Sequence, residues 1–178
     1  MASRKKVLVR TLDHAIHPGY LPLTDLLTPG TPETLDLLDL SGHIQPIPLA
    51  DIRTIAYVRD FNLSDSHNPE NLLRRTFLAR PRTEGLWLRL TFASGEILEG
   101  LAPIDLGLLD SLLTDRGLFL IPPDTRSNTQ RLFVPRSAIS SLQILAVITN
   151  PSRPKPPQPQ AAPDLQLNLP DLPPDLPG

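Results

Sequence analysis

Lys6–Pro22, KVLVRTLDHAIHPGYLP, and Trp87–Pro103, WLRLTFASGEILEGLAP, decide the fold when one is laid over the other. Val7, Val9 and Thr11 fall on Leu88, Leu90 and Phe92, Gly19 falls on Gly100 and Pro22 on Pro103, all at an offset of 81. Further on, Leu35–Leu38 (LDLL) falls on Leu118–Ile121 (LFLI) at 83, and Ile47–Ile55 (IPLADIRTI) falls on Val134–Leu142 (VPRSAISSL) at 87. The anchors keep their order while the offset grows in steps. A duplication with loop insertions produces that pattern.

Each copy reads as short strands. VLVRTL and LWLRLTF alternate apolar and polar residues, the period of a strand with one buried face. Ser94-Gly95 and Ser41-Gly42 sit where hairpins turn, and Gly19 and Gly100 sit where a strongly bent strand needs no side chain. About five strands in so short a copy predict closure into a small barrel, which buries the apolar face and hides the edges. Between the copies, Asn68-Pro69-Glu70 has the form of a helix start, with Leu72, Leu73, Thr76 and Phe77 as one stripe and Pro81 as the stop. A second short helix is expected over Asp105–Leu113, whose first-copy counterpart, TDLLTPG, allows only a turn.

The order of strand, turn, Gly-bent strand, hairpin, turn and closing strand resembles that of SH3-like and Sm-like small barrels. GYLP and GLAPID resemble the second-strand region of Sm-like proteins. The Asp-x-x-x-Asn uridine-pocket signature is not met, because Leu106, Gly107, Leu108 and Leu109 follow Asp105. The whole core also resembles an uncharacterised bacterial family of unknown function, through Val58–Leu63, Arg74–Phe77 with Gly85–Thr91, and Pro122–Arg131 with Val134–Arg136. That resemblance implies domain limits and no activity. The expected organisation is a mainly β chain with a first barrel over 1–60, a short helical linker over 61–84, a second barrel over 85–150 and a disordered tail over 151–178.

The tail expectation rests on composition: ten of the 22 prolines fall in the last 28 residues. Such a segment loses backbone donors and buries too little to offset the entropy of ordering. It is either a solubilising end or a ligand for an aromatic groove on a protein partner. The chain has no cysteine, which removes thiolate metal sites and cysteine nucleophiles and suits a reducing compartment. No continuous apolar run reaches the roughly 7–15 residues of a secretory signal or the roughly 18–20 of a membrane span. A cytoplasmic protein without membrane attachment is expected.

Formal net charge is -2, against a generic polyanion binder. Locally, Arg74, Arg75, Arg80 and Arg82 form the strongest charge feature, suited to phosphate or to pairing with Asp60, Asp65, Glu70 and Glu84. The cyclic-dinucleotide motif of PilZ-type barrels is not matched. His14 and His17 beside Asp13 make a weak metal signal with no third strong ligand, so no metal or cofactor is expected. Nucleophile elbow, phosphate loop, dinucleotide fingerprint and zinc-protease motifs are all missing.

Seven polar residues, Asp124 to Gln130, stand between apolar runs in the second copy, where the offset jumps from 83 to 87. They read as an inserted loop, with Asp124, Arg126, Asn128, Gln130 and Arg131 as candidate ligand-binding residues beside the linker arginines. The expected function is a non-enzymatic binding or adaptor module acting through loops, linker or tail. Nucleotide or nucleic-acid binding through the arginines is the second expectation.

Overall fold

The alternating segments become ten β-strands among the residues that the computed structural model describes, 4–22, 33–104, 116–124 and 126–149. A first run comprises β1 (Arg4–Thr11), β2 (Ile16–Pro22), β3 (Thr34–Asp39), β4 (Ile44–Pro48) and β5 (Ile52–Val58). A second comprises β6 (Gly85–Phe92), β7 (Ile97–Ala102), β8 (Gly117–Leu120), β9 (Thr129–Pro135) and β10 (Ile139–Ile148). A one-turn 3-10 segment, Leu49–Asp51 or Arg136–Ala138, precedes the last strand of each run.

Pairing follows the same scheme in both runs. Val7 lies opposite Gly19, and Leu88 opposite Gly100. Leu35 lies opposite Ile47, and Leu118 opposite Val134. Val9 lies opposite Ile55, and Leu90 opposite Leu142. Tyr20 pairs with Leu38, and an isolated bridge joins Leu101 to Ile121. Gly19 and Gly100 are required at those crossings. A Cβ on Gly19 would stand 2.7 Å from Leu37 Cγ, and one on Gly100 would stand 2.9 Å from Leu120 Cβ, too close for either to be accommodated without movement.

Among the described residues no closed barrel forms. β5 pairs antiparallel with β9 of the other run, giving a seven-stranded sheet in the order β4-β3-β2-β1-β5-β9-β8 beside a three-stranded sheet, β10-β6-β7. The physical reason is burial on both faces of β1 and β5. Val7, Val9, Ile52 and Ile55 enter one apolar cluster with Leu35, Leu37 and Ile47. Leu8, Ala56 and Val58 enter the other with Leu88, Leu90, Leu120 and Leu132. Fully burying a side chain of this size contributes about 1.5–3 kcal/mol, so the outer faces of β1 and β5 strongly favour a covering layer.

The linker helix expected from Asn68 does not form; residues 61–84 run as turns and irregular backbone. Asn68 does act as a local cap, its side-chain oxygen accepting from the Leu72 N–H at 3.1 Å. Asn71 then takes φ +51°, which a continuing helix does not allow. Beyond it, the Leu73 and Phe77 amides donate to Asp124 and Glu99 of the second run, so no helical ladder is built. The expected stripe is split: Leu72 packs on the core, while Leu73 and Thr76 are exposed. The second expected helix, Asp105–Leu113, and the tail, 151–178, lie outside the described residues. Among the described residues no helix is long and apolar enough to cross a membrane.

Candidate functional site

Where β1 and β5 meet the second run and the linker, they line a half-open cavity of about 330 Å3. Its apolar floor includes Leu72, Phe92, Leu98 and Leu132, and its charged wall holds Arg10, Arg53, Arg75, Glu70 and Glu96.

A β-bulge aims the central guanidinium. Arg10 lies opposite Thr54 and Thr11 opposite Ile52, which leaves Arg53 as the extra residue of β5. Bulges bend a strand and redirect one side chain in this way. Arg53 is buried, lies 4.8 Å from the centroid of the Phe92 ring, and pairs with Glu96. Its guanidinium is 3.3 Å from His14 Nδ1. Burial lowers the Arg53 pKa from its ordinary value, and the neighbouring Arg75 and Arg10 lower it further. Arginine starts so high that the group stays charged near neutrality.

Arg10 makes a two-pronged bond to the buried Glu70, Nε to Oε1 at 3.1 Å and Nη2 to Oε2 at 2.9 Å. Its Nη2 also donates to the His67 carbonyl at 3.2 Å. Arg75 reaches Glu96 Oε1 at 3.1 Å. Glu96 therefore serves two arginines while Glu70 serves one. The wall holds three guanidiniums against two carboxylates, a site with one uncompensated positive charge before its histidines are counted. That arrangement can take up a small anion by charge-assisted hydrogen bonds.

Polar residues Asp124, Asn128 and Thr129 fix this geometry from behind. Asn128 accepts from the Asp60 N–H at 3.0 Å and donates to the Pro69 carbonyl at 3.0 Å and to that of Asp60. The Thr129 hydroxyl donates to the Glu70 carbonyl at 3.1 Å. Asp124, itself buried, accepts from the Leu73 and Arg126 amides. The polar residues thus bond the linker backbone and set where Glu70 stands.

The other expected site residues are dispersed among different surroundings. Arg75 alone of the linker arginines lines the cavity; Arg74, Arg80 and Arg82 are exposed. Arg126 and Gln130 are exposed, and Arg131 stacks over the Phe119 ring at 3.7 Å. Asp124 and Asn128 are committed to holding the linker.

Sequence reading missed Arg10, Arg53 and Glu96; it named Glu70 only as a counter-charge for the linker arginines and His14 only in a weak metal signal, and the position they share with Arg53 only the fold reveals. It also missed Glu99, a buried carboxylate directly opposite Arg89 on β6. Burial raises the Glu99 pKa, but the Phe77 amide at 2.9 Å, Arg89 and the Trp87 ring N–H outweigh it and hold the carboxyl below its ordinary value. The cross-strand Arg–Glu match was the available signal.

Residues 3–146 match the model of a family of unknown function (DUF6982). No curated protein and no solved structure matches the chain.

Proposed function

The chain belongs to that family of unknown function, and we propose that it is a non-enzymatic binding module, a duplicated five-strand unit whose junction cavity receives a small carboxylate- or phosphate-bearing anion. The observation that carries the ligand reading is Arg53, a buried guanidinium turned into the cavity by a bulge and flanked by Arg10 and Arg75 with only Glu70 and Glu96 to balance them. An arginine held in this way is already oriented and partly desolvated, which strengthens its bond to an incoming anion.

The duplication is supported by the equal registers of the two runs, including the bulge. In the second run Thr91 lies opposite Ser141 and Phe92 opposite Ile139, so Ser140 takes the place that Arg53 has in the first. The first run's strand order, β4-β3-β2-β1-β5, supports a likeness of the unit to Sm-like folds without barrel closure. A cytoplasmic setting belongs to the same proposal and rests on the cysteine-free composition.

The nucleotide or nucleic-acid reading loses support where its arginines are engaged, Arg75 with Glu96 and Arg131 on Phe119. Thermal unfolding with inorganic phosphate, small dicarboxylates and a nucleotide panel, at low and high ionic strength, tests both readings. A small anion is expected to raise the melting temperature of the native chain, and Arg75→Gln, a half-exposed position, is expected to remove that rise while the fold persists. No rise with any anion, or a rise unchanged in Arg75→Gln, contradicts the cavity proposal.

A further inference from the structure

Among the described residues the sheets end on β4, β8, β10 and β7; the Leu101–Ile121 bridge joins β7 to the end of β8, which leaves β4 and β10 as open edges, the counterparts of β9 and β5, which pair with each other. At the internal junction Ile55 lies opposite Phe133, Ala56 opposite Leu132 and Tyr57 opposite Arg131. At the same offset of 87, the free edges hold Leu142 and Pro46, Gln143 and Gln45, and Ile144 and Ile44. We infer that β10 of one chain pairs antiparallel with β4 of a second copy, in the register of the β5–β9 junction, so that copies assemble head to tail.

Exposure along the edges supports this occupant. Phe133 of the second run packs into the apolar cluster around Ile55, which is 0% exposed. Leu142, at the matching place on β10, is 38% exposed, and Ile144 is 62% exposed. On β4, Ile44 is 68% exposed. β10, ten residues long with exposed apolar side chains and open backbone groups, is a template for another strand. The three facing pairs bring no like charges together, and the Ile144–Ile44 pair covers the two most exposed large hydrophobic side chains on these strands.

Pro46 adjusts the strength of the contact. It replaces the Phe133 counterpart and stays paired opposite Asp36 on β3, so its nitrogen, which has no hydrogen to donate, faces the open side. The edge ladder therefore has one donor fewer than the internal junction, and assembly is reversible and dependent on concentration. A heterologous contact of this kind generates a ring if the rotation closes and a filament if it does not.

The inference uses the same equivalence of runs as the proposed function but not the cavity, and mass and cross-linking read it without any ligand. The chain has no native cysteine, so introduced ones are unique. Directly opposed antiparallel residues stand about 4.5–5.5 Å apart at Cα, within disulfide range. Mixing full-length Gln45→Cys with full-length Gln143→Cys under oxidation is expected to give a covalent dimer, and neither variant alone is expected to match its yield. Light scattering is expected to show mass rising with concentration in multiples of 19.6 kDa. Ile144→Lys is expected to weaken association by about tenfold, and Pro46→Val to strengthen it. A monomer at every concentration, like-with-like cross-linking at the mixed yield, or a monomer whose own residues 151–178 are protected from proteolysis against β10 would each overturn the inference.

Discussion

β5 and β10 follow the same 3-10 turn, take the same register against the first strand of their run and carry the same bulge. Their burial nevertheless differs along most of their length. Ile52, Arg53, Ile55, Ala56 and Val58 are buried on β5, whereas β10 buries only Ile139 and Ile148 at its two ends. The difference comes from their neighbours: β9 lies along β5, and no strand among the described residues lies along the far side of β10. Local pattern sets the strand, its turn and its register. The fate of each side chain is set by what arrives from elsewhere in the chain.

The bulge sharpens the same lesson. In the second run the extra residue is Ser140, whose hydroxyl closes on the carbonyls of Thr91 and Phe92 and finishes the bend locally. In the first run it is Arg53, which no local carbonyl satisfies and which reaches Glu96 of the second run. One backbone device thus ends a strand quietly in one run and supplies a cavity with its central charge in the other.

The largest expected effect that tests the comparison is at its matched pair. Ile55→Ala removes a fully buried side chain and is expected to cost about 2–5 kcal/mol in urea unfolding. Leu142→Ala, at the matching place on the open edge, is expected to cost less than about 1 kcal/mol in the dilute chain. Equal losses would break the comparison.

A smaller effect is expected at the outer face of the second run, where Glu99 stands in place of Pro18 of β2 and is covered by the linker. Glu99→Gln leaves the Arg89 guanidinium without its counter-charge and is expected to cost about 1–3 kcal/mol at neutral pH. The folded pKa of Glu99 is below its usual 4.5. In the pH window between those two values the unfolded chain binds more protons, so this stabilisation is complete above the unfolded pKa and is lost as pH falls through the folded one. Unfolding measured at neutral pH and near pH 4 is expected to show a shallower acid loss in Glu99→Gln than in the native chain. An unchanged acid slope would remove Glu99 from the account.

Much of the strand framework was legible in the sequence because alternation and turn residues are local signals. Val7, Val9 and Leu35 announce a buried face, and Gly95 and Gly42 take the positive φ that their turns require. Barrel closure was misread because period-2 alternation assigns one buried face, whereas Leu8 and Ala56 on the supposed outer face are buried by the other run. Asn68-Pro69-Glu70 carried correct helix-start chemistry, and it was overruled by Asp124 and Glu99 capturing the amides that follow. Of the cavity the sequence marked only Arg75, with Glu70 as a counter-charge and His14 in a weak metal signal. Arg10, Arg53, Glu70 and Glu96 are far apart in the chain and meet only through the β1–β5 pairing and the linker clamp. Asp124, Asn128 and Thr129 were visible as an unusual polar loop, but their partners, the backbone of residues 60–73, were not.

The central claim is that the two runs present the same backbone edge, covered in one case and open in the other. Pro18 opposite Leu8 has no N–H to exchange, which turns the Leu8 amide toward β5 and leaves the Ile55 and Tyr57 amides facing β9. Their counterparts, the Leu142 and Ile144 amides, face the open side of β10. Residue-resolved amide hydrogen exchange on the full chain measures this directly. In dilute solution Ile55 and Tyr57 are expected to be protected and Leu142 and Ile144 to exchange rapidly, with protection of the latter pair rising as the chain is concentrated. Equal protection of all four amides in the dilute monomer, or rapid exchange at Ile55 and Tyr57, would contradict it.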